Sequence, residues 1–183
     1  MFLDIGAGIL LSIASAHFLD NEVTWLWIVV AIIFALLPDI DMIVYGAKKL
    51  ITGKGADDHR SFTHYPIIYI PTATIIFLYI NTNYGILFLL CVYFHLIHDT
   101  FWLGWGISWL WPFSDRKFKF FPDKDGKITR TPLLTWAKDE EQIIFKKYHN
   151  PTWIQDFYFR PNIIAYTEYG VFIVAIIVLL YTI

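Results

Sequence analysis

The chain has 183 residues, of which 57% are hydrophobic, 19% aromatic and 16% charged. Soluble globular domains carry about 25% charged and about 45–50% apolar residues, so this composition argues against a soluble domain and excludes an intrinsically disordered chain. Cys91 is the single cysteine, which excludes a disulfide scaffold. The net charge of -2 gives no reason to expect a nucleic-acid partner, and the length fits one domain.

Five apolar segments predict helices and follow one another along the chain. They cover residues 5–19, 23–37, 65–80, 84–97 and 163–183. A membrane-crossing helix needs about 20 apolar residues, so the segments of about 15 residues are marginal as spans. The first segment does not resemble a signal peptide, because Asp4 stands where a basic residue belongs. The expected fold class is all-α, a polytopic membrane bundle of about 4–5 transmembrane helices.

The connection between the fourth and fifth segments is the least apolar part of the chain. The sequence therefore divides into a membrane-embedded core over 1–112, a cytoplasmic or interfacial connection over 113–162, and a C-terminal transmembrane helix over 163–183. Within the connection, residues 133–148 are expected to form an amphipathic helix on the membrane surface.

The basic residues predict the orientation. All 14 Lys and Arg residues lie in two connections, residues 48–60 and 116–160. The positive-inside rule places both connections in the cytoplasm. With five spans, the N-terminus is then cytoplasmic and the C-terminus is outside, as expected for a multi-pass protein of the cytoplasmic membrane.

Three groups of ionisable residues lie at the cytoplasmic ends of the predicted helices. Charged side chains at membrane depth are costly and are functional candidates by default. The candidate ligands of a metal ion are Asp39, Asp41, His59, His64, His95 and Asp99. Nitrogen and carboxylate ligands without a thiolate suit Zn²⁺, Mn²⁺ or Fe²⁺, and zinc is the favoured ion.

The spacing of these residues predicts which of them lie close together. His95 and Asp99 are four residues apart and share one helix face, and His98 lies near that face as a further candidate. Asp39 and Asp41 are two apart, and Pro38 disfavours helix before it, so the chain is expected to unwind and let both carboxylates converge.

Residues outside these groups are less clearly placed. Asp4 lies on the cytoplasmic side and is a further candidate ligand, or a carboxylate behind a ligand, although an exposed acid at a helix N-terminus is slightly favoured. His17 is expected about 20 Å from the cytoplasmic end of its helix, too far to be a ligand. Glu168 either faces the site or reaches the interface.

Taken in order, the motifs resemble a bacterial family of inner-membrane-bound metal-dependent hydrolases. They are Pro38-Asp39-Ile40-Asp41, the run from His59 to His64, the pair His95 and Asp99, Gly106, and Trp111-Pro112-Phe113. This family includes a LexA-regulated membrane protein and is distantly similar to zinc-dependent phospholipases C. The resemblance covers about residues 1–113.

Two departures from the family pattern stand out. The family has a histidine early in its first helix, about where Gly8 falls here, so one ligand is missing or Asp4 compensates. The family's glycine after His-Arg is Ser61 in this chain.

The resemblance implies hydrolysis, with a phospholipid or another membrane-embedded phosphoester as the expected substrate. Asp41 or Asp99 is then the candidate general base. Arg60 either pairs with a phosphate oxygen, which its planar guanidinium suits, or anchors the chain at the cytoplasmic interface. Two alternatives remain open. One is a metal-ion or proton-coupled transporter, since intramembrane Asp and His residues also serve ion pathways. The other is a non-catalytic membrane protein with a structural metal site. The oligomeric state is not predicted.

Overall fold

A computed structural model of the protein describes residues 1–42, 50–51, 62–101, 105–124, 127–148, 150 and 152–183. Most of these residues are helical, and each of the five predicted apolar segments contains a helix. The helices are α1 (Phe2–Phe18), α2 (Trp25–Leu36), α3 (Tyr69–Tyr79), α4 (Thr82–Thr100), α5 (Glu141–Tyr148), α6 (Trp153–Tyr158) and α7 (Ile163–Thr182). Short 3-10 turns cover Leu37–Asp39, Phe62–His64, Pro66–Ile68 and Lys138–Glu140.

Two helical segments among the described residues are long and apolar enough to cross a membrane. They are Trp25–Met42, which continues α2 beyond its 3-10 turn, and Ile163–Thr182. The apolar helices at Phe2–Phe18 and Pro66–Tyr79 are shorter. Length and composition therefore support a membrane protein with at least these two candidate spans, fewer than the number expected from the sequence.

The chain folds as two compact units, and the first contains most of the apolar helices. It comprises Met1–Leu37, Ile68–His95 and Ala165–Ile183. Helix α1 packs against α2, where the indole Nε1 of Trp27 donates a 2.9 Å hydrogen bond to the carbonyl oxygen of Ser12. The side chain of Thr24 caps α2 by accepting from the backbone N–H of Trp27 at 3.2 Å.

Glycines in α1 allow close helix packing in this unit. A Cβ atom added to Gly8 would lie 3.0 Å from the Cα of Ile32 in α2. A Cβ atom added to Gly6 would lie 3.0 Å from the Cα of Phe172 in α7. The family pattern carries a histidine at about the position of Gly8. In this chain the backbone of α2 fills the space that such a side chain would need.

The second unit comprises Pro38–Ile67 and Leu96–Ile164 and contains all the described strands. Strand β1 (Lys117–Phe120) pairs antiparallel with β4 (Leu133–Trp136), with Lys117 opposite Trp136. Strand β2 (Asp123–Lys124) pairs antiparallel with β3 (Lys127–Ile128). The expectation of an all-α chain is wrong for this region.

The predicted helix over 133–148 is only partly correct. Helix α5 forms at Glu141–Tyr148, but residues Leu133–Trp136 form a strand. Alternating Lys and Phe residues over Lys117–Phe120 have the two-residue period of a strand, and they pair with the strand that ends at the buried Trp136. Sheet pairing therefore prevails over helical periodicity in this stretch.

Gly106 has a backbone conformation that its place in the second unit requires. Its φ is +70°, and an added Cβ would lie 2.6 Å from the carbonyl oxygen of Phe118. The next residue, Ile107, exchanges two backbone hydrogen bonds with Phe118, at 3.1 and 3.0 Å. Only glycine fits this close approach without strain.

Candidate metal centre

Three short stretches of the second unit carry Asp39, Asp41, His64 and Asp99. Asp39 ends the 3-10 turn Leu37–Asp39, and Asp41 follows in the next helical residues. His64 ends the 3-10 turn Phe62–His64, and Asp99 lies near the end of α4. The chain around Pro38 tightens into a 3-10 turn and does not unwind, yet both carboxylates approach the same imidazole, that of His64.

Asp39, His64, His95 and Asp99 form one group of potential ligands. Each offers one ligand atom, and these atoms all lie within 4.8 Å of one another. His95 precedes Asp99 by one turn of the continuous helix α4, as the spacing predicts. Four of the six predicted ligands thus share one group.

The distances within this group suit a shared cation. The Nε2 atom of His64 lies 3.3 Å from Oδ2 of Asp99 and 3.6 Å from Oδ1 of Asp39. Ligand atoms bound tetrahedrally at about 2.0–2.2 Å from an ion are about 3.3–3.6 Å apart. Two imidazoles and two carboxylates are also the donor types that Zn²⁺ accepts. The two contacts of His64 therefore have the spacing of ligand atoms around one cation, and all four residues are of donor types that a divalent cation accepts.

One nitrogen of His95 is held within the first unit. Its Nδ1 lies 2.8 Å from the backbone carbonyl oxygen of Ala35 and 3.3 Å from Oδ1 of Asp4. Because a carbonyl oxygen only accepts hydrogen bonds, Nδ1 carries a proton, which leaves Nε2 as the nitrogen that can bind a cation. His95 is 1% exposed, so this arrangement is shielded from water.

His64 is surrounded by acidic groups. Burial disfavours its charged form, but the close carboxylates of Asp39, Asp41 and Asp99 outweigh that effect and raise the pKa of His64 from 6.5 to about 9. Without a cation, His64 is therefore an imidazolium at neutral pH. Binding of a cation at His64 must release that proton.

The structure brings other predicted residues to different places. Asp41 contacts His64 but is outside the group of four. The half-buried His98 is also outside that group. His17 is exposed near the end of α1 and belongs to no such group among the described residues, as expected. The predicted ligand His59 and the predicted phosphate-binding residue Arg60 lie outside the described residues.

The favoured interpretation of Asp4, as an exposed acid, is wrong. Asp4 is 1% exposed and its carboxylate faces the imidazole of His95. Packing of α1 within the first unit buries it, which sequence position alone does not reveal. The buried Glu168 accepts a 3.0 Å hydrogen bond from the backbone N–H of Leu3 and is also outside the group of four.

Two contributors to the site, Thr63 and Ala35, were not among the residues predicted from the sequence. The hydroxyl of Thr63 donates a 2.7 Å hydrogen bond to Oδ2 of Asp41 and lies 3.1 Å from Nδ1 of His64. The carbonyl oxygen of Ala35 contacts His95. The signal for Thr63 was its position immediately before a candidate ligand, whereas a backbone carbonyl leaves no signal in the sequence.

A comparison with protein-family models gives one informative match. The family described as YdjM inner membrane protein matches residues 3–183, so the match extends well beyond the 1–113 region in which the motifs were found. Searches of the curated proteins and of the solved structures give no significant match.

Proposed function

The chain belongs to the YdjM inner membrane protein family, and we propose that it is a metal-dependent hydrolase of that membrane, acting on a phosphoester. The observation that carries the proposal is the group formed by Asp39, His64, His95 and Asp99, whose ligand atoms lie within 4.8 Å of one another. Zinc is the favoured cation, with manganese or iron as alternatives.

The residues of the group would hold the cation, and their exposure suggests where substrate enters. A divalent cation held there would supply Lewis acidity toward a phosphoryl oxygen and would lower the pKa of a bound water molecule to about 7. The side chain of Asp39 is 24% exposed, whereas that of His64 is 2% exposed. Substrate and water therefore reach the group most readily on the side of Asp39.

A surface of the second unit favours a lipid as the substrate. Tyr65, next to His64, stacks on Trp111 with ring centroids 4.6 Å apart and an interplanar angle of 7°. Exposed apolar side chains flank this pair on both segments, namely those of Phe62, Ile67, Leu110 and Phe113. Aromatic and apolar groups of this kind are typical of the membrane–water interface. A phosphoester in a lipid headgroup would meet such a surface without leaving the bilayer.

The proposed membrane topology uses all five apolar helices. The basic residues between 48 and 60 and between 116 and 160 support a cytoplasmic location for both connections, by the positive-inside rule. Five spans then put the C-terminus outside, and the connection over 113–162 lies at the cytoplasmic face. A reporter active only in the cytoplasm, fused after Ile183, should be inactive, and an active fusion would contradict this topology.

Metal content and turnover, measured on the same detergent-purified full-length protein, test the proposal. We expect about one zinc ion per chain and hydrolysis of a phosphodiester or of phospholipid in mixed micelles. Asp99→Asn should lose both, whereas His17→Gln, at an exposed histidine, should lose neither. Bound metal without turnover of any phosphoester would overturn the hydrolase and favour a structural site. Failure to bind metal would overturn the metal centre itself.

A further inference from the structure

The hydrogen bonds around Thr63 fix the position of one proton on His64. The Thr63 hydroxyl has a single proton, which it donates to Oδ2 of Asp41 at 2.7 Å. Its oxygen then accepts, and the ring atom that faces it is Nδ1 of His64, at 3.1 Å. The same carboxylate oxygen of Asp41 lies 3.5 Å from that nitrogen. Nδ1 of His64 therefore carries a proton that points toward Thr63 and Asp41.

The opposite edge of the same ring faces the candidate ligands. Nε2 of His64 lies 3.3 Å from Asp99 and 3.6 Å from Asp39. With the Nδ1 proton held in place, loss of the other proton leaves the Nε2 lone pair directed at that group. Asp39 and Asp41 are two residues apart in the sequence, and they thus lie at opposite edges of the His64 imidazole.

We propose that Asp41, acting through Thr63, is a positioning residue for His64 and is not a metal ligand. This inference rests on the proposed function only in that the group of four binds a divalent cation. Histidines that bind metals commonly donate their second ring N–H to a carboxylate, a carbonyl or water, which fixes the tautomer and the ring orientation. In this site the Thr63 hydroxyl stands between the ring and the carboxylate.

The two carboxylates of the Pro38-Asp39-Ile40-Asp41 motif thus have different roles. Asp39 contributes an oxygen to the coordination sphere, so its loss changes the number of ligands. Asp41 contributes none, so its loss leaves the ligands in place but lets the ring of His64 rotate and exchange tautomers. Removal of such an outer partner typically weakens metal affinity by about 10–100-fold.

Cobalt substitution separates these roles because the absorption spectrum of Co²⁺ reports its coordination. The full-length protein in detergent is titrated with Co²⁺ as wild type, Asp41→Asn, Thr63→Val, Thr63→Ser and Asp39→Asn. We expect Asp41→Asn and Thr63→Val to bind about 10–100-fold more weakly, with wild-type band positions and intensity at saturation. Thr63→Ser keeps the hydroxyl and should restore affinity to near the wild-type value. Asp39→Asn should change the spectrum itself.

Several results would overturn the inference. A changed Co²⁺ spectrum in Asp41→Asn, like that of Asp39→Asn, would make Asp41 a ligand. Wild-type affinity in Thr63→Val, or no rescue by Thr63→Ser, would remove the role of the hydroxyl. Thr63→Val keeps the shape of the side chain, so the test does not depend on the folding of Asp41→Asn. If wild-type protein binds Co²⁺ but hydrolyses nothing, the proposed function fails and this inference survives. If it binds none, both fail.

Discussion

The two units of the molecule hold their histidines in different ways. In the first unit, Nδ1 of His95 lies 2.8 Å from the backbone carbonyl oxygen of Ala35, which the α2 helix fixes in place. In the second unit, Nδ1 of His64 meets side-chain oxygens, those of Thr63 and Asp41. A backbone carbonyl stays in place when a side chain is substituted, whereas the hydroxyl of Thr63 or the carboxylate of Asp41 is removed by one substitution. The tautomer of His64 should therefore be the easier of the two to disturb.

The largest expected effect is the loss of either imidazole, which removes a ligand whatever holds its ring. His64→Ala and His95→Ala should each weaken zinc binding by more than about 100-fold, since an outer partner alone accounts for about 10–100-fold. Equilibrium dialysis with zinc measures this effect, and His17→Ala is the matched control. Retention of zinc by His95→Ala together with its loss in His17→Ala would show that the assigned group is wrong.

The next effect concerns the packing of the first unit. Gly8→His should not add a ligand, because a Cβ at Gly8 would lie 3.0 Å from the backbone of Ile32. Overpacking of this kind costs about 1–3 kcal/mol of stability. Thermal unfolding in detergent should show a lower transition temperature for Gly8→His, with Gly8→Ala less affected, and zinc affinity should not increase. Tighter zinc binding by Gly8→His would mean that α1 and α2 separate readily.

The pH dependence of zinc binding tests the environment of His64, because the acidic groups around this histidine raise its pKa to about 9. Below that pH, a cation must displace one proton from His64, so the apparent zinc affinity should rise by about tenfold per pH unit toward pH 9. Zinc titrations between pH 6.5 and 8, run with a competing chelator of known pH dependence, would measure the slope. A flat profile would contradict the protonation of His64 in the metal-free protein.

The smallest effect should come from Asp4. The ring of His95 contacts the carbonyl of Ala35 and the carboxylate of Asp4 through Nδ1. Asp4→Asn leaves the contact with Ala35 in place, and this contact still orients the ring. We expect zinc affinity to fall by less than tenfold, less than for Asp41→Asn, in the same dialysis assay. A complete loss of zinc would instead make Asp4 a ligand that replaces the missing histidine of the first helix.

Local patterns predicted the parts of the structure that depend on short stretches of sequence. The four-residue spacing of His95 and Asp99 placed both on one helix face, and the five apolar segments are helical. Contacts between distant segments were harder to foresee. The strand at Leu133–Trp136 needs a partner at Lys117–Phe120, and the burial of Asp4 depends on how α1 packs. The role proposed for Thr63 depends on a 3-10 turn that no helical or strand periodicity marks.

X-ray absorption at the zinc edge, on purified wild-type protein, reports directly on the ligands of the proposed metal centre. We expect about one bound zinc with two imidazole nitrogens and two carboxylate oxygens at about 2.0–2.2 Å, and one imidazole fewer in His64→Ala. A zinc environment without imidazole scattering, or one that His64→Ala leaves unchanged, would show that these residues do not form a metal centre.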